Sequence, residues 1–563
     1  MAIDRSPRRA ALMIAAPLLV AVAATFPVAG CKGDDDTFSP SGPTYTDRDG
    51  TIRFGEMGSL HLPEGRGSFR FGAATAATQI EDQNVHTDWY QWSLPVSEGG
   101  LGNGAAHVGD AVRSYTLSDR DIEIMQELGL ETYRFSIEWA RVEPQRDVID
   151  EEALEHYSDF IDRLLAAGIR PMITLHHFSN PLWVQALGAG APCGPDGPAD
   201  DNLCGWEHPE GQGLIVEEMR QHAQLLAERF GDRVDDWCTL NEPVNYIIAG
   251  WGAGVFPPGR SYIITGIGGV NSPAFQRLVA VFEGFLRAHA AMYDAITEHD
   301  TIDADGDGVA ASIGMTLNVI EWEPVRRGEL SDHPEDVAAT ERIRAFYHYL
   351  FVDSIRSGSF DRDFDGEADV QYPEWTGKLD WLGVQYYLRN GVTHNAVVRI
   401  PGVDAMICFA GFEAFGACLD IQDPTKWIPT MHYEYLEEGF YNIIMEFTER
   451  YPDLPLLVTE AGIAAENGVR RAENVVRTLE QVVRAVDDGA DVRGYYHWSL
   501  TDNFEWAEGY EPRFGLYRVD FETYERTATE GATVYADIIR ERVVTPAQRQ
   551  QYGGTGPMTP ELD

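Results

Sequence analysis

The chain has 563 residues, of which 44% are hydrophobic, enough to bury a large core. Its 43 basic residues face 90 acidic ones, and the net charge of −47 argues against nucleic acid or an anionic membrane surface as a partner. A neutral small molecule is unaffected by that field, and the positive charge is almost all arginine, since Lys32, Lys378 and Lys426 are the only lysines.

Arg5, Arg8 and Arg9 precede an apolar run from Ala10 to Ala29, followed by Gly30-Cys31. A basic segment ahead of a short apolar one is the pattern of a secretory signal. Val28-Ala29-Gly30-Cys31 resembles a bacterial lipobox, in which the cysteine is lipidated and becomes the new N-terminus. An uncleaved anchor helix and an ordinary signal peptide are the alternatives. On the lipobox reading, residues 1–31 are a signal, and the protein is exported and membrane-anchored, facing the periplasm or the cell surface. Residues 32–66, rich in Asp, Ser, Pro and Gly, read as a polar linker. Residues 546–563 read as a polar tail, and 67–545 between them as one domain with loop insertions.

Apolar, β-rich runs recur at 69–74, 132–137, 171–175, 236–240, 311–317, 380–385, 455–459 and 492–498. Helical patterns separate them. One starts at the N-cap Asp150, places Leu154, Tyr157, Ile161 and Leu164 on one face, and stops at Gly168. Another carries Val475, Val476, Leu479, Val482, Val483 and Val486 and ends near Gly489. Strand–helix alternation of this kind predicts an α/β fold, a (β/α)8 TIM barrel, with its active site at the carboxyl ends of the strands.

Two segments, 187–206 and 403–430, read as insertions bordering the pocket mouth. They contain Cys193 with Cys204 and Cys408 with Cys418, which are expected to form two disulfides in an exported protein. Cys238 lies mid-strand and is expected to pack as a small apolar residue. Asp303-Ala304-Asp305-Gly306-Asp307-Gly308 opens like a calcium loop, but Gly314 stands where its final glutamate belongs, so a solvated acidic turn is the reading. His176-His177 point to opposite faces of a strand and cannot easily chelate one ion. No metal and no cofactor is called for.

The strand ends supply, in order, Gln79, Arg134, His177, Asn241-Glu242, Asn318, Tyr387, Glu460 and Trp498. Two of these are acids delivered by separate strands. Glu242 lies in Thr239-Leu240-Asn241-Glu242-Pro243 and Glu460 in Val458-Thr459-Glu460-Ala461-Gly462. Two carboxylates at one barrel rim are what hydrolysis of a glycosidic bond requires.

Further motifs identify a resemblance. Phe71-Gly72-Ala73-Ala74-Thr75, Tyr133-Arg134-Phe135-Ser136-Ile137-Glu138-Trp139, both acid motifs, Trp498-Ser499-Leu500-Thr501-Asp502-Asn503-Phe504-Glu505-Trp506 and Arg513-Phe514-Gly515-Leu516 occur in one order along the chain. Together they resemble glycoside hydrolase family 1, the β-glucosidase and β-galactosidase family, from Phe71 to about Ile539. The resemblance implies that Glu242 is the acid/base and Glu460 the nucleophile, with Arg134 and Tyr387 holding Glu460. It implies sugar contacts from Gln79, His177, Asn241, Asn318 and Glu505, a platform from Trp498 and a wall from Trp506. Phe178, Gln385 and Tyr433 depart from the family's usual residues, which bears on sugar preference more than on reaction type. The expected function is a retaining, exo-acting β-glycosidase acting on terminal unphosphorylated sugars, β-glucosides foremost, with β-galactosides or β-fucosides as further substrates. A transglycosidase using the same intermediate and a non-catalytic surface carbohydrate-binding protein are the alternatives.

Overall fold

The computed structural model describes residues 45–561 apart from 189, 191–192, 266–268, 397 and 410–415. The signal, Cys31 and the first part of the expected linker lie outside the described residues. Eight parallel strands form the core: β1 (Arg70–Ala74), β2 (Thr132–Ser136), β3 (Arg170–His176), β4 (Asp236–Asn241), β5 (Ser312–Arg326), β6 (Trp381–Thr393), β7 (Leu456–Ala461) and β8 (Val492–Trp498). β8 pairs with β1, and β6 pairs with both β5 and β7, so the cylinder closes. Every residue of β1, β2, β4, β7 and β8 is buried. Strands covered on both sides read as apolar and β-branched runs without alternation, which is why the sequence marks them.

Each strand is followed by a helix: α1 (Ser118–Leu128), α2 (Glu151–Ala166), α3 (Pro209–Phe230), α4 (Pro273–His299), α5 (Leu350–Ser357), α6 (Glu437–Arg450), α7 (Gly468–Asp487) and α8 (Glu530–Glu541). Asp150 caps α2 by accepting from Ala153 N–H at 3.0 Å, as its position at the head of an amphipathic pattern predicts. Both expected disulfides are present, with Cα–Cα distances of 4.8 Å for Cys193–Cys204 and 4.7 Å for Cys408–Cys418. Cys238 is buried and unbridged.

Two boundaries differ from expectation. Residues 45–66 are not a linker. Tyr45, Ile52, Phe54 and Leu60 are buried, and Ile52–Arg53 pairs antiparallel with Val543–Val544. Nor is 546–561 a free tail. It opens with a helix, Pro546–Tyr552, capped reciprocally by Thr545 and Gln548. Beyond it, Lys426 Nζ donates to Thr555 O at 2.9 Å, Arg477 Nη1 donates to Gly556 O at 2.7 Å, and Met558 is buried. Both segments look polar because a few buried anchors hold them and most of their other side chains face water. Among the described residues no helix is long and apolar enough to cross a membrane.

Candidate active site

Glu242 follows β4 directly. Its backbone is left-handed, with φ 42°, and its N–H donates to Thr316 O on β5 at 2.9 Å. That conformation costs a non-glycine residue roughly 1–2 kcal/mol, and it is held by β5 and by Pro243, which opens the short helix Pro243–Ile247. One turn on, Asn245 donates through Nδ2 to Glu242 Oε2 at 2.8 Å, and Tyr347 donates to Asn245 Oδ1 at 3.2 Å. Asn318, on β5, also hydrogen-bonds Glu242. Glu242 is thus surrounded by amides.

Glu460, within β7, has other company. Arg134 on β2 donates through Nη1 to Glu460 Oε1 at 2.7 Å, and Tyr387 on β6 donates to Glu460 Oε2 at 2.7 Å. Gly462 allows the close approach of β7 and β8 here, since an added Cβ would collide with the Trp498 carbonyl. Both carboxyl groups are only 4% exposed. Burial pushes both above the usual carboxylate range. At Glu242 the charge of Glu460 adds to that push. At Glu460 the charge of Arg134 and the hydrogen bonds of Tyr387 and Arg134 oppose it. The proton shared between the two acids therefore resides on Glu242.

Arg134 links this pair to Asn241, donating through Nη2 to Asn241 Oδ1 at 2.6 Å. The same oxygen accepts from Thr316 Oγ1 at 2.9 Å and from Gln385 Nε2 at 2.9 Å. With three donors on its oxygen, Asn241 has its amide nitrogen free to donate. Gln385 is fully buried beside Asn241 and fixes the orientation of that amide.

A second group of residues gathers around Glu505. Gln79 Nε2 donates to Glu505 Oε2 at 3.2 Å and to Phe504 O at 2.8 Å, and Trp498 hydrogen-bonds Glu505. Burial, then the charge of Glu460, pushes the Glu505 carboxyl up to about 8. His177 lies nearly parallel to Trp498 and to Trp506, with ring centroids 5.9 Å away in each case. Burial, then the charge of Arg134, holds His177 well below the usual histidine range, so the ring is neutral. Its Nδ1, Gln79 Oε1 and Asn318 Oδ1 are buried without a hydrogen-bond partner among the described residues. Unpaired groups of this kind suit a hydroxylated ligand that completes them. Phe178 packs against Trp506 at 5.3 Å and so supports the wall from behind. His176 faces away, bonded to Asn180 Oδ1 at 3.3 Å and packed on Tyr246 and Phe285.

Hydrogen bonds, ring contacts and mutual charge effects thus join the expected residues Gln79, Arg134, His177, Asn241, Glu242, Asn318, Tyr387, Glu460, Trp498, Glu505 and Trp506 in one site. Asn318 has a partner besides the sugar contact expected of it, because it also bonds Glu242. Asn245 and Thr316 were not anticipated. The i+3 spacing of Asn245 from Glu242 on a helical turn is a signal that could have found the first. Thr316 lies within β5 and carries no such mark. The Asp303–Gly308 turn sits apart from the site. Asp305 pairs with Arg170, and Asp307 accepts from Ser59 Oγ at 2.5 Å.

The sequence pattern of Glycosyl hydrolase family 1 matches residues 62–543. The chain is 30% identical to a β-galactosidase of Pyrococcus woesei, over 85% of this chain and 97% of that protein. It is also 30% identical to β-glucosidase A of Thermotoga maritima, over 86% and 99%. Among solved structures, a β-glycosidase from Pyrococcus horikoshii superposes with a TM-score of 0.69 at 29% identity, covering 89% of this chain and all 100% of that one. A Thermotoga maritima β-glucosidase in complex with glucoimidazole gives 0.66 at 26% identity, covering 86% and 100%. With the closed barrel and the paired glutamates at its rim, the chain belongs to glycosyl hydrolase family 1 and is an O-glycosyl hydrolase.

Proposed function

We propose that the protein is a retaining, exo-acting β-glycosidase that removes terminal unphosphorylated sugars, with β-glucosides preferred and β-galactosides or β-fucosides as further substrates. The unequal surroundings of the two acids carry this reading. Glu460, ionised and aimed by Arg134 and Tyr387, attacks the anomeric carbon as the bond to the leaving oxygen breaks. Glu242 gives that oxygen its proton. Glu242, now a carboxylate, takes a proton from water, and the water oxygen displaces Glu460 from the sugar. Asn241 offers its amide N–H to the hydroxyl beside the reacting carbon, a contact that strengthens as charge develops in the transition state.

Glu505 bears on the sugar. Its carboxyl, pushed up to about 8, favours the protonated form, which can both donate to and accept from hydroxyls. Selection against a sugar phosphate therefore rests less on repulsion than on the lack of a cation. Its neighbours are Gln79, Trp498, Glu460 and Glu508, and no Lys or Arg among the described residues pairs with it.

Turnover of aryl β-glucoside, β-galactoside, β-fucoside and β-mannoside by the chain starting at residue 32 tests this reading, with Glu460→Ala and Glu242→Ala alongside. Turnover lost in Glu460→Ala, with the β-glucoside first among the four, supports it. No turnover of any aryl glycoside by a folded protein overturns it.

The protein is further proposed to be exported and lipid-anchored through Cys31, on the strength of the basic and apolar N-terminus and Val28-Ala29-Gly30-Cys31. Mass spectrometry of the N-terminus of bacterially expressed protein should find a lipidated Cys31. An N-terminus without lipid on Cys31 would overturn it.

A further inference from the structure

Glu138 lies two residues beyond β2, at the head of the short helix Trp139–Val142, and is only 2% exposed. Buried carboxyl groups are commonly paired with a cation. Arg141, on the same short helix, is engaged elsewhere: it pairs with Glu81 at 2.9 Å and donates to Asp82 O at 2.6 Å. Neutral donors hold Glu138 instead. Thr78 Oγ1 donates to its Oε2 at 2.7 Å, and Asn84 Nδ2 to the same oxygen at 3.3 Å. Ser179 Oγ lies 3.1 Å from Oε1 and 3.0 Å from Oε2, and Ala140 N–H donates to Oε1 at 3.3 Å.

These donors come from different loops. Thr78 and Asn84 follow β1, Ser179 follows β3, and Glu138 follows β2 between them. A carboxylate offers about four acceptor sites and a side-chain amide about two, so a carboxylate is the group that can gather donors from both sides.

Each of the two loops carries a sugar-facing side chain. Thr78 precedes Gln79 in the helical turn Ala77–Ile80, and Ser179 follows His177 by two residues. Gln79 Oε1 and His177 Nδ1 are buried without a partner among the described residues. Between His177 and Ser179, Phe178 has a left-handed backbone, with φ 62°, a conformation that persists only where its surroundings fix it. Ser179 ties it to Glu138 on one side, and Trp89 Nε1 donates to Phe178 O at 2.8 Å on the other. The same loops meet again farther out, where Asp88 N–H donates to Asn180 O at 2.9 Å. Asp88 is well along the chain from Gln79, so that contact keeps the loops together without aiming the Gln79 side chain.

We propose that Glu138 is a positioning residue that aims Gln79 and His177 at one sugar, by holding Thr78 and Ser179 on a single carboxyl group, and that it thereby sets how strongly the site discriminates between sugars differing in one hydroxyl. It acts through the two loops and not on the reacting atoms. This role rests on the glycosidase reading above.

The test measures kcat/KM of the full-length protein and of Glu138→Gln on an aryl β-glucoside and on its 3-deoxy, 4-deoxy and 6-deoxy analogues. The amide keeps the size of the side chain but brings a donor to a place where Thr78, Asn84 and Ser179 already donate. Glu138→Gln should lose about 10- to 100-fold on the parent glucoside, the value of one or two hydrogen bonds. The loss should be about fivefold smaller on an analogue lacking a hydroxyl that Gln79 or His177 holds, since that contact is already gone. The limbs of the pH–rate profile should stay in place, because Glu242 and Glu460 keep their own partners. The same factor on all four substrates, as a purely structural role would give, or no loss on the parent, would overturn the proposal. Should Glu138→Gln not fold, Ser179→Ala decides, since it removes one donor and keeps the carboxyl group. A few-fold loss that shrinks on one analogue supports the role, and a uniform loss or none overturns it. Absence of aryl glucoside turnover in the wild type would instead sink the glycosidase reading. Calorimetric titration with a glucose-configured imino sugar then decides the positioning role on its own: binding weakened about tenfold in Glu138→Gln supports it, and unchanged binding, or none by the wild type, overturns it.

Discussion

The ends of β4 and β7 present the same residue, equally buried, in opposite electrical surroundings. Glu242 meets two amides, and the charge of Glu460 favours its protonated form. Glu460 meets a guanidinium and a phenol, which oppose the effect of burial. On the proposed mechanism, two identical side chains thus acquire the roles of acid and nucleophile from their neighbours alone. The lesson is that chemistry here is assigned by partners from other strands, not by the residue type.

Replacing the acids themselves breaks the comparison most severely. Glu460→Ala should lower kcat by on the order of 10⁴–10⁶-fold on every substrate, because no covalent intermediate can form. Glu242→Ala should cost less, about 10²–10⁴-fold, and least on aryl glycosides whose leaving oxygen needs little protonation. Steady-state kinetics across leaving groups of differing pKa checks both. An equal loss on all leaving groups in Glu242→Ala would contradict its role as acid.

Tyr387→Phe sharpens the comparison from the nucleophile's side. It removes a hydrogen bond to a charged group, worth roughly 10- to 100-fold in kcat/KM. The same bond holds the Glu460 pKa down, so the acidic limb of the pH–rate profile should move to higher pH. Asn245→Ala acts from the other side and should be milder, a few-fold. Its hydrogen bond lowers the Glu242 pKa, so removing it should move the alkaline limb to higher pH. Profiles in which the two variants shift the same limb would undo the assignment.

The smallest effect concerns stability. Glu81, Asp235, Asp300 and Glu321 are pushed up to about 7 and Asp88 and Glu505 to about 8, burial being the first cause in each. Between the ordinary carboxylate range and these values the folded chain holds more protons than the unfolded one. Stability from these groups is therefore complete only below the unfolded carboxyl pKa of about 4 and falls as pH rises from there toward 8. The high net negative charge works in the same direction. Buried histidines such as His176 and His289, held at about 4, oppose this trend up to the ordinary histidine pKa of about 6.5, so calorimetric melting should show a midpoint that falls from about pH 6.5 to about pH 8, and a flat or rising midpoint there would contradict it.

How much was legible beforehand follows from the range of each interaction. The eight strands, the Asp150 cap and the paired cysteines are written in local pattern, so the barrel and its rim could be read directly. Glu242 and Glu460 were marked by apolar runs that end in a turn residue. The boundaries at 66 and 546 misled, because a segment held by a few anchors such as Tyr45 and Met558 has the composition of a linker.

The sequence alone determined the closed (β/α)8 architecture and the pair of acids, because burial on both faces of a strand imposes its own run of residue types; the residues grouped around Glu505 were marked only by the family resemblance. Only the tertiary structure decided which acid keeps the proton, that three donors fix Asn241, that Gln385 lies beneath it, and that β5 and β6 extend together past the rim. The physical reason is separation along the chain. Arg134 and Glu460 are 326 residues apart, and Gln385 and Asn241 are 144 apart. No periodicity spans such distances, so these partners become visible only when the closed barrel brings its strands together.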